Sequence, residues 1–294
     1  MSAGRFVLDL ARCTGCAACV VACTNENGAD PALPWRAVHT FNSRREPTVP
    51  VLHYSLACSH CAEPACLAGC PSGAYRRDPS TGAVLLDAGR CMGCRYCSWV
   101  CPYAAPRFDP DRGVMAKCTL CAHRLAAGRA PACCVACPTD ALSFERREGP
   151  AGLGRPGFPD VGLRPALRLG GTRRRHPPSL SASPPCAALG TEQRRRSWRQ
   201  LREEWSLWLF SSAMIVLVAW FTAAAAGGPS VLPLAFAGAG LAALAISALH
   251  LGRPLRAWRG LRNLRRSWIS REAVLSVAFL AGATMLSAVP RGPG

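Results

Sequence analysis

The run Cys91-Met-Gly-Cys94-Arg-Tyr-Cys97-Ser-Trp-Val-Cys101-Pro102 constrains this chain more than any other stretch. Its spacing is C-x2-C-x2-C-x3-C-P. With that spacing, three cysteines wrap one [4Fe–4S] cube and the fourth reaches a different cube. Such a run is incomplete by itself. It requires a second run folded against it, with the fourth cysteines exchanged.

The chain supplies three more sets. Cys13, Cys16, Cys19 and Cys23 repeat the spacing, with Thr24 where the proline would stand. Cys58, Cys61, Cys66 and Cys70-Pro71 have a middle gap of four residues, which lengthens the loop without removing a ligand. In Cys118, Cys121, Cys133 and Cys137-Pro138, eleven residues separate C-x2-C from C-x3-C-P. Cys134 is spare and reads as a small apolar filler; the isolated Cys186 is given no role. His53, His60 and His123 neighbour the cysteines. Each set already has four thiols, so these read as loop or surface histidines.

Of 18 cysteines, 17 fall between Cys13 and Cys137, so the 294 residues divide into chemically different regions. A secreted disulfide framework is disfavoured. Such frameworks belong mainly to short chains with a signal peptide, and the opening MSAGRFVLDLARC has no apolar core of that kind. Zinc also uses C-x2-C pairs. It explains poorly three cysteines spaced two apart, then a fourth, then proline.

Between the sets, Arg5–Asp9 reads as a strand, Ala17–Asn25 as a helix, and Ala74–Arg77 with Ala83–Asp87 as a hairpin about a turn-rich connector. Gly113–Lys117 and Ala141–Arg146 read as strands around the fourth set. Residues 30–50 look like an insertion, and Arg44-Arg45 within them like a solvated pair rather than an export signal. Residues 148–200 are rich in Gly, Pro, Arg and Ser and read as a disordered linker. Apolar segments follow at 205–226, 231–251 and 273–289; the last is marginal against the ~20 residues that span a bilayer. Trp205, Trp208 and Trp220 fit an aromatic belt. The formal charge is +18, nearly all arginine, since Lys117 is the only lysine. Nucleic acid or an anionic membrane surface would suit that charge. Many of the arginines lie in the linker and beside the apolar segments, so membrane lipid is the expected partner and nucleic acid is not.

Four sets in this order resemble the iron–sulfur electron-transfer subunit of the dimethyl sulfoxide reductase family. The resemblance covers roughly residues 4–170. It includes Lys117-Cys118-Thr-Leu-Cys121, Pro131-Ala-Cys133, Cys137-Pro138-Thr139 and the tail Phe158 to Arg168. It implies an α+β fold of tandem bacterial-ferredoxin-like (2×[4Fe–4S]) halves over residues 1–147, the first set pairing with the fourth and the second with the third. Carried over, Cys13, Cys16, Cys19 and Cys137 hold cluster 1. Cys23, Cys118, Cys121 and Cys133 hold cluster 2. Cys58, Cys61, Cys66 and Cys101 hold cluster 3. Cys70, Cys91, Cys94 and Cys97 hold cluster 4. Related nitrate reductase subunits carry Trp in place of one third-set cysteine and a three-iron cluster there. This chain keeps Cys94, which implies four full [4Fe–4S] clusters. No catalytic residue is expected; the implied partner is a molybdopterin-containing catalytic subunit that acts on the terminal substrate.

His250-Leu-Gly-Arg253-Pro-Leu-Arg256-Ala-Trp, between the second and third apolar segments, resembles the membrane-anchor subunit of the same family, which oxidises menaquinol. Residues 201–294 then read as a partial, all-α anchor of about three transmembrane helices, with a further membrane chain expected to complete it. His250, Arg253 and Arg256 are the candidate quinol site. His250 could accept a quinol proton, because its ordinary pKa lies near neutrality. The reading slightly preferred is a histidine that marks the lipid–water interface. Seven arginines lie in the loop between segments two and three and none between one and two, which places the iron–sulfur domain on the cytoplasmic side of the inner membrane. The family resemblance implies the outer face instead. The expected role is electron transfer from quinol through four clusters in anaerobic respiration. The alternatives are a wire for a polysulfide, thiosulfate, nitrite or formate partner, or a zinc-stabilised membrane scaffold.

Overall fold

The computed structural model describes residues 2–43, 50–148, 161–170, 205–227 and 232–288. Arg44-Arg45, Cys186 and most of the expected linker lie outside the described residues. The chain forms two compact units, Met1–Pro177 and Pro178–Gly294.

The first unit is organised on strand β1, Ser2–Asp9. It runs between β8 (Leu142–Glu148), antiparallel, and β9 (Leu167–Gly170), parallel. A strand flanked on both sides loses its polar face, and Arg5 to Leu10 fits: Phe6, Val7, Leu8 and Leu10 are all buried. Arg5 is buried as well, and its guanidinium donates to Glu145 at 2.6 Å. Glu145 also accepts from Arg168 at 2.9 Å, so one carboxylate ties all three strands together.

The strand β9 corrects the reading of residues 148–200 as linker. Leu167 and Leu169 alternate with Arg168 and are buried in the core. Composition averaged over fifty residues hid a four-residue strand whose partner is at the other end of the domain.

Three hairpins complete the unit: β2 (Ala37–Phe41) with β3 (Leu52–Leu56), β4 (Tyr75–Arg77) with β5 (Val84–Leu86), and β6 (Arg107–Asp109) with β7 (Val114–Ala116). The expected insertion at 30–50 therefore contributes a paired strand. Short helices follow the cysteine loops: α1 (Ala18–Asn27), α2 (Ala65–Ala68), α3 (Tyr96–Trp99), α4 (Ala122–Ala126) and α5 (Ala132–Val135). The core has two parts. One gathers Phe6, Leu8, Leu120, Leu142 and Leu169 around Cys19, Cys23, Cys58, Cys118 and Cys133; the other gathers Tyr75, Val84, Val114 and Met115 around Cys70, Cys91 and Cys97.

The second unit contains α6 (Trp205–Ala225), α7 (Pro233–Ala248), a 3-10 helix (Pro254–Leu261) and α8 (Trp268–Ala288). Two of its helices, α6 and α8, are long and apolar enough to cross a membrane. The lengths reverse the expectation for the second and third segments. The helix α7 has 16 residues because Leu249 and His250 turn out of it ahead of Pro254, which cannot continue a helix. The helix α8 has 21 because it begins at Trp268 and takes Arg271 and Glu272 into its first turns. Ser267 starts it by accepting the Ser270 amide, the role of a helix-capping hydroxyl. Phe236 is fully buried here, its ring 6.0 Å from Trp220, 6.2 Å from Phe221 and 6.4 Å from Phe279. Trp205 and Trp208 are exposed, but Trp220 belongs to this aromatic core and not to a belt. A Cβ on Gly240 would stand 2.7 Å from Leu280, so that glycine lets α7 and α8 approach, as small residues do between apolar helices.

Candidate iron–sulfur centre

Each cysteine loop bends the same way. The residue just before the second cysteine has positive φ in all four sets: Gly15 at 75°, His60 at 42°, Gly93 at 73° and Leu120 at 59°. That left-handed residue closes the C-x2-C loop so that backbone amides face the first sulfur. Leu120 N–H donates to Cys118 Sγ and Gly93 N–H to Cys91 Sγ, both at 3.4 Å, and the Gly15 amide serves Cys13. For His60 and Leu120 the conformation costs on the order of 1–2 kcal/mol each. Gly15 has a further reason to be glycine: a Cβ would meet the His53 ring at 2.5 Å.

The repeat extends past the fourth cysteine. Gly73, Ala104 and Asp140, each three residues after Cys70, Cys101 and Cys137, also have positive φ. The proline after each of these cysteines opens the turn. In the first set Thr24 replaces proline, and α1 continues to Asn27 instead. Amides turn towards these sulfurs too: Ala74 N–H to Cys70 at 3.3 Å and Leu142 N–H to Cys137 at 3.4 Å. Sulfurs that accept several amide N–H bonds are suited to the thiolate form, the form that binds iron.

Strand register brings distant sets together. In β1 and β8, Leu8 faces Leu142; Cys13 lies five residues after one and Cys137 five before the other. In β4 and β5, Tyr75 faces Leu86; Cys70 lies five residues before one and Cys91 five after the other. The helices α1 and α5, on either side of the first of these junctions, pack together.

The charges of the thiols report who their neighbours are. Burial pushes Cys13 up, helped by Cys19, Cys137 and Cys16. Burial pushes Cys23 up to about 12, with Cys133 and Cys121 adding to it. Cys61 rises to about 12 by burial and then through Cys58, Cys101 and Cys66. Cys94 rises to about 12 by burial, with Cys70 and Cys91 adding. A cavity is lined by Cys58, Cys61, Cys66 and Cys101 together. Some neighbours join one group to the next: Cys19 acts on Cys23, Cys58 acts on Cys118, and Tyr75 is influenced by both Cys97 and Cys66. Among the described residues, no three His, Cys, Asp or Glu side chains are grouped to hold a single metal ion.

Cys134 is half-buried and shares its thiol hydrogen with Cys133, which raises Cys134 and lowers Cys133. Its packing against the core fits the filler reading. His60 does not fit the surface reading: it is buried, and its Nδ1 accepts the Val84 amide at 3.0 Å. Burial and the nearby Lys117, Arg77 and Arg36 charges hold it far below the usual histidine range, hence neutral. His53 meets Thr40 at 3.0 Å, and exposed His123 pairs with Glu26 at 2.8 Å.

Sequence reasoning missed the polar groups around the sulfurs. Asn27 Nδ2 donates towards Cys121 at 3.8 Å and Cys23 at 3.9 Å. Lys117 is buried, with Nζ donating to the Cys118 and Val84 carbonyls. Its being the only lysine, adjacent to Cys118 of the fourth cysteine set, was the available signal. Arg36 gave none.

In the second unit, His250 Nδ1 hydrogen-bonds the Ser247 carbonyl. That makes Nδ1 the proton donor and fixes the tautomer. Arg253 precedes the 3-10 helix, and Arg256 lies in its first turn.

Residues 49–147 match the 4Fe-4S dicluster domain family, and residues 228–289 match the DMSO reductase anchor subunit (DmsC) family. The B subunit of sulfite dehydrogenase from Allochromatium vinosum is 38% identical over 160 residues, covering 47% of this chain and 67% of that protein. The B subunit of anaerobic dimethyl sulfoxide reductase from Escherichia coli is 37% identical over 147 residues, covering 47% and 71%. The thiosulfate reductase electron transfer subunit PhsB of Salmonella typhi is 40% identical over 142 residues, covering 47% and 73%. The chain belongs to the iron–sulfur electron-transfer subunits of dimethyl sulfoxide reductase-type complexes. In this family member, the iron–sulfur region is followed in one polypeptide by an anchor-like region, consistent with a fusion of the two subunits. Its relatives are electron-transfer subunits of dimethyl sulfoxide, thiosulfate and sulfite complexes. The anchor match and the two long apolar helices associate it with a membrane.

Proposed function

We propose that this protein carries electrons between the quinol pool and a molybdopterin-containing catalytic subunit through four [4Fe–4S] clusters held in tandem ferredoxin-like halves. The ligand sets are Cys13, Cys16, Cys19 and Cys137; Cys23, Cys118, Cys121 and Cys133; Cys58, Cys61, Cys66 and Cys101; and Cys70, Cys91, Cys94 and Cys97. The observation that carries the reading is the neighbourhood of the thiols: Cys58, Cys61, Cys66 and Cys101 line one cavity, and at Cys13, Cys61 and Cys94 the sulfurs that add to the effect of burial belong to the same interleaved set. The neighbours that join one set to the next support a linear order from cluster 1 to cluster 4.

The residues fit such cubes. Their donors are thiols that accept backbone amide hydrogens, the ligand type and surroundings of such clusters. A bound cube supplies one-electron chemistry. The chain's own residues hold the sulfurs, exclude water, and set potential through amide bonds and buried charge.

In the membrane unit, Arg253, Arg256 and the tautomer-fixed His250 are proposed to meet menaquinol. The arginine-rich loop between the last two helices supports a cytoplasmic position for the iron–sulfur unit. A further membrane chain completing the anchor is part of the same proposal, as is a third spanning helix formed with the aid of the short α7.

Anaerobic purification with iron and sulfide analysis tests the reading. About sixteen irons per chain are expected from four four-iron cubes, with visible absorbance that bleaches on dithionite. A value near half of that, or stoichiometric zinc, would overturn it.

A further inference from the structure

Among the described residues, Arg36 is the most deeply buried charged side chain of the iron–sulfur unit, at 2% exposure. It stands just before β2. Its Nη1 donates to the Ser55 carbonyl at 3.1 Å and to Ser55 Oγ at 3.0 Å, and the guanidinium stacks 4.6 Å over the Phe6 ring. Nε and Nη2 are buried without a hydrogen-bond partner of full geometry among the described residues. No carboxylate of those residues is among its contacts. Taking a cation out of water costs several kcal/mol unless an opposite charge compensates. The groups of opposite charge that act on it are sulfurs: Cys133 first, then Cys118, Cys19 and Cys134. Arg36 in turn favours the anionic form of Cys23 and Cys133. Ser55 Oγ, which holds the guanidinium, also contacts Cys19 Sγ at 3.1 Å.

A thiolate-ligated cube is anionic and gains a further negative charge on reduction. That is the counter-charge a buried arginine needs, and the benefit is larger in the reduced state. The Phe6 ring under the guanidinium shares one core cluster with Cys23, Cys118 and Cys133, three of the four proposed ligands of cluster 2, and these three also interact with the Arg36 charge; the tie to cluster 1 runs through Ser55 to Cys19.

We infer that Arg36 is the counter-ion of cluster 2, a positioning residue that raises the reduction potential of that cluster above what its thiolates and amides alone would give. The inference rests on the ligand sets proposed above.

The test uses the full chain, anaerobically purified, with Arg36→Gln and Arg36→Lys, and follows iron content and EPR-monitored redox titration. Arg36→Gln removes the charge and leaves a shorter side chain that still carries an N–H donor. It should retain iron while the signal abolished by Cys118→Ser titrates lower, by at least tenfold in its reduction equilibrium, about 59 mV for one electron. Arg36→Lys should stay much nearer the parent value. Loss of that cluster in Arg36→Gln with retention in Arg36→Lys would support the same role. Full iron with unshifted potentials in Arg36→Gln, equal cluster loss in both variants, or a shift confined to a different signal would overturn it. The ligand sets are checked separately, since Cys23→Ser and Cys118→Ser must damage the same signal whatever Arg36 does.

Discussion

Cys13 and Cys137 lie at matching distances, five residues, beyond the facing pair Leu8 and Leu142 of β1 and β8. They come from opposite ends of the iron–sulfur unit, and the strand register alone sets them side by side. If they ligate one cluster, Cys13→Ser and Cys137→Ser should each damage the same EPR signal and leave the other three. Damage to two different signals would refute the pairing.

The second exchange is tested at Cys101. It acts on Cys61 and lines the same cavity as Cys58, Cys61 and Cys66, although its own run begins at Cys91. Cys101→Ser should therefore alter the cluster held by Cys58 and spare that held by Cys91. EPR of single-cysteine variants distinguishes the two; a perturbation limited to the Cys91 cluster would remove the exchange.

Glu145 joins Arg5 of β1 to Arg168 of β9. Glu145→Gln keeps the shape and leaves the buried Arg5 without its anionic partner. Losing a charge-assisted bond at a partly buried site costs about 1.5–3 kcal/mol. The midpoint of urea-induced bleaching should fall accordingly, and an unchanged midpoint would show that the three-stranded sheet does not limit cluster retention.

His250→Ala should abolish reduction of the clusters by a menaquinol analogue while dithionite reduction persists. The hydrogen bond to Ser247 fixes which ring nitrogen carries the proton in the resting state. If quinol-driven reduction continues at the parent rate, His250 only marks the membrane interface.

Topology is open to reporter fusions at Ser230 and after Arg266. A cytoplasmic iron–sulfur unit requires alkaline phosphatase activity at Ser230 and none after Arg266. The opposite pattern would put the clusters on the outer face.

Much of the unit was legible because cysteine spacing dictates local backbone. The four loops, the hairpin at Ala74–Asp87 and the strands before Cys13 and after Cys137 all follow from where sulfurs must converge. What stayed hidden depended on partners far away in the sequence. Leu167–Gly170 is too short to show a period, and only β1 makes it a strand. His60 looks like any loop histidine until Val84 and Lys117 close over it. The helix α8 outran its apolar count because Arg271 and Glu272 fit its first turns, where Arg271 bonds the Leu264 carbonyl at 2.9 Å. Arg36 has no motif around it; its burial comes from Phe6 and Ser55, which belong to two other strands.

The central strand β1 is made early in synthesis, yet both of its neighbours lie beyond residue 141. Until the ribosome has delivered them, the segment Phe6 to Leu10 is an apolar edge with open hydrogen bonds on each side, the kind of edge that recruits other chains. The strands β8 and β9 thus act as the clasp that closes both edges of β1.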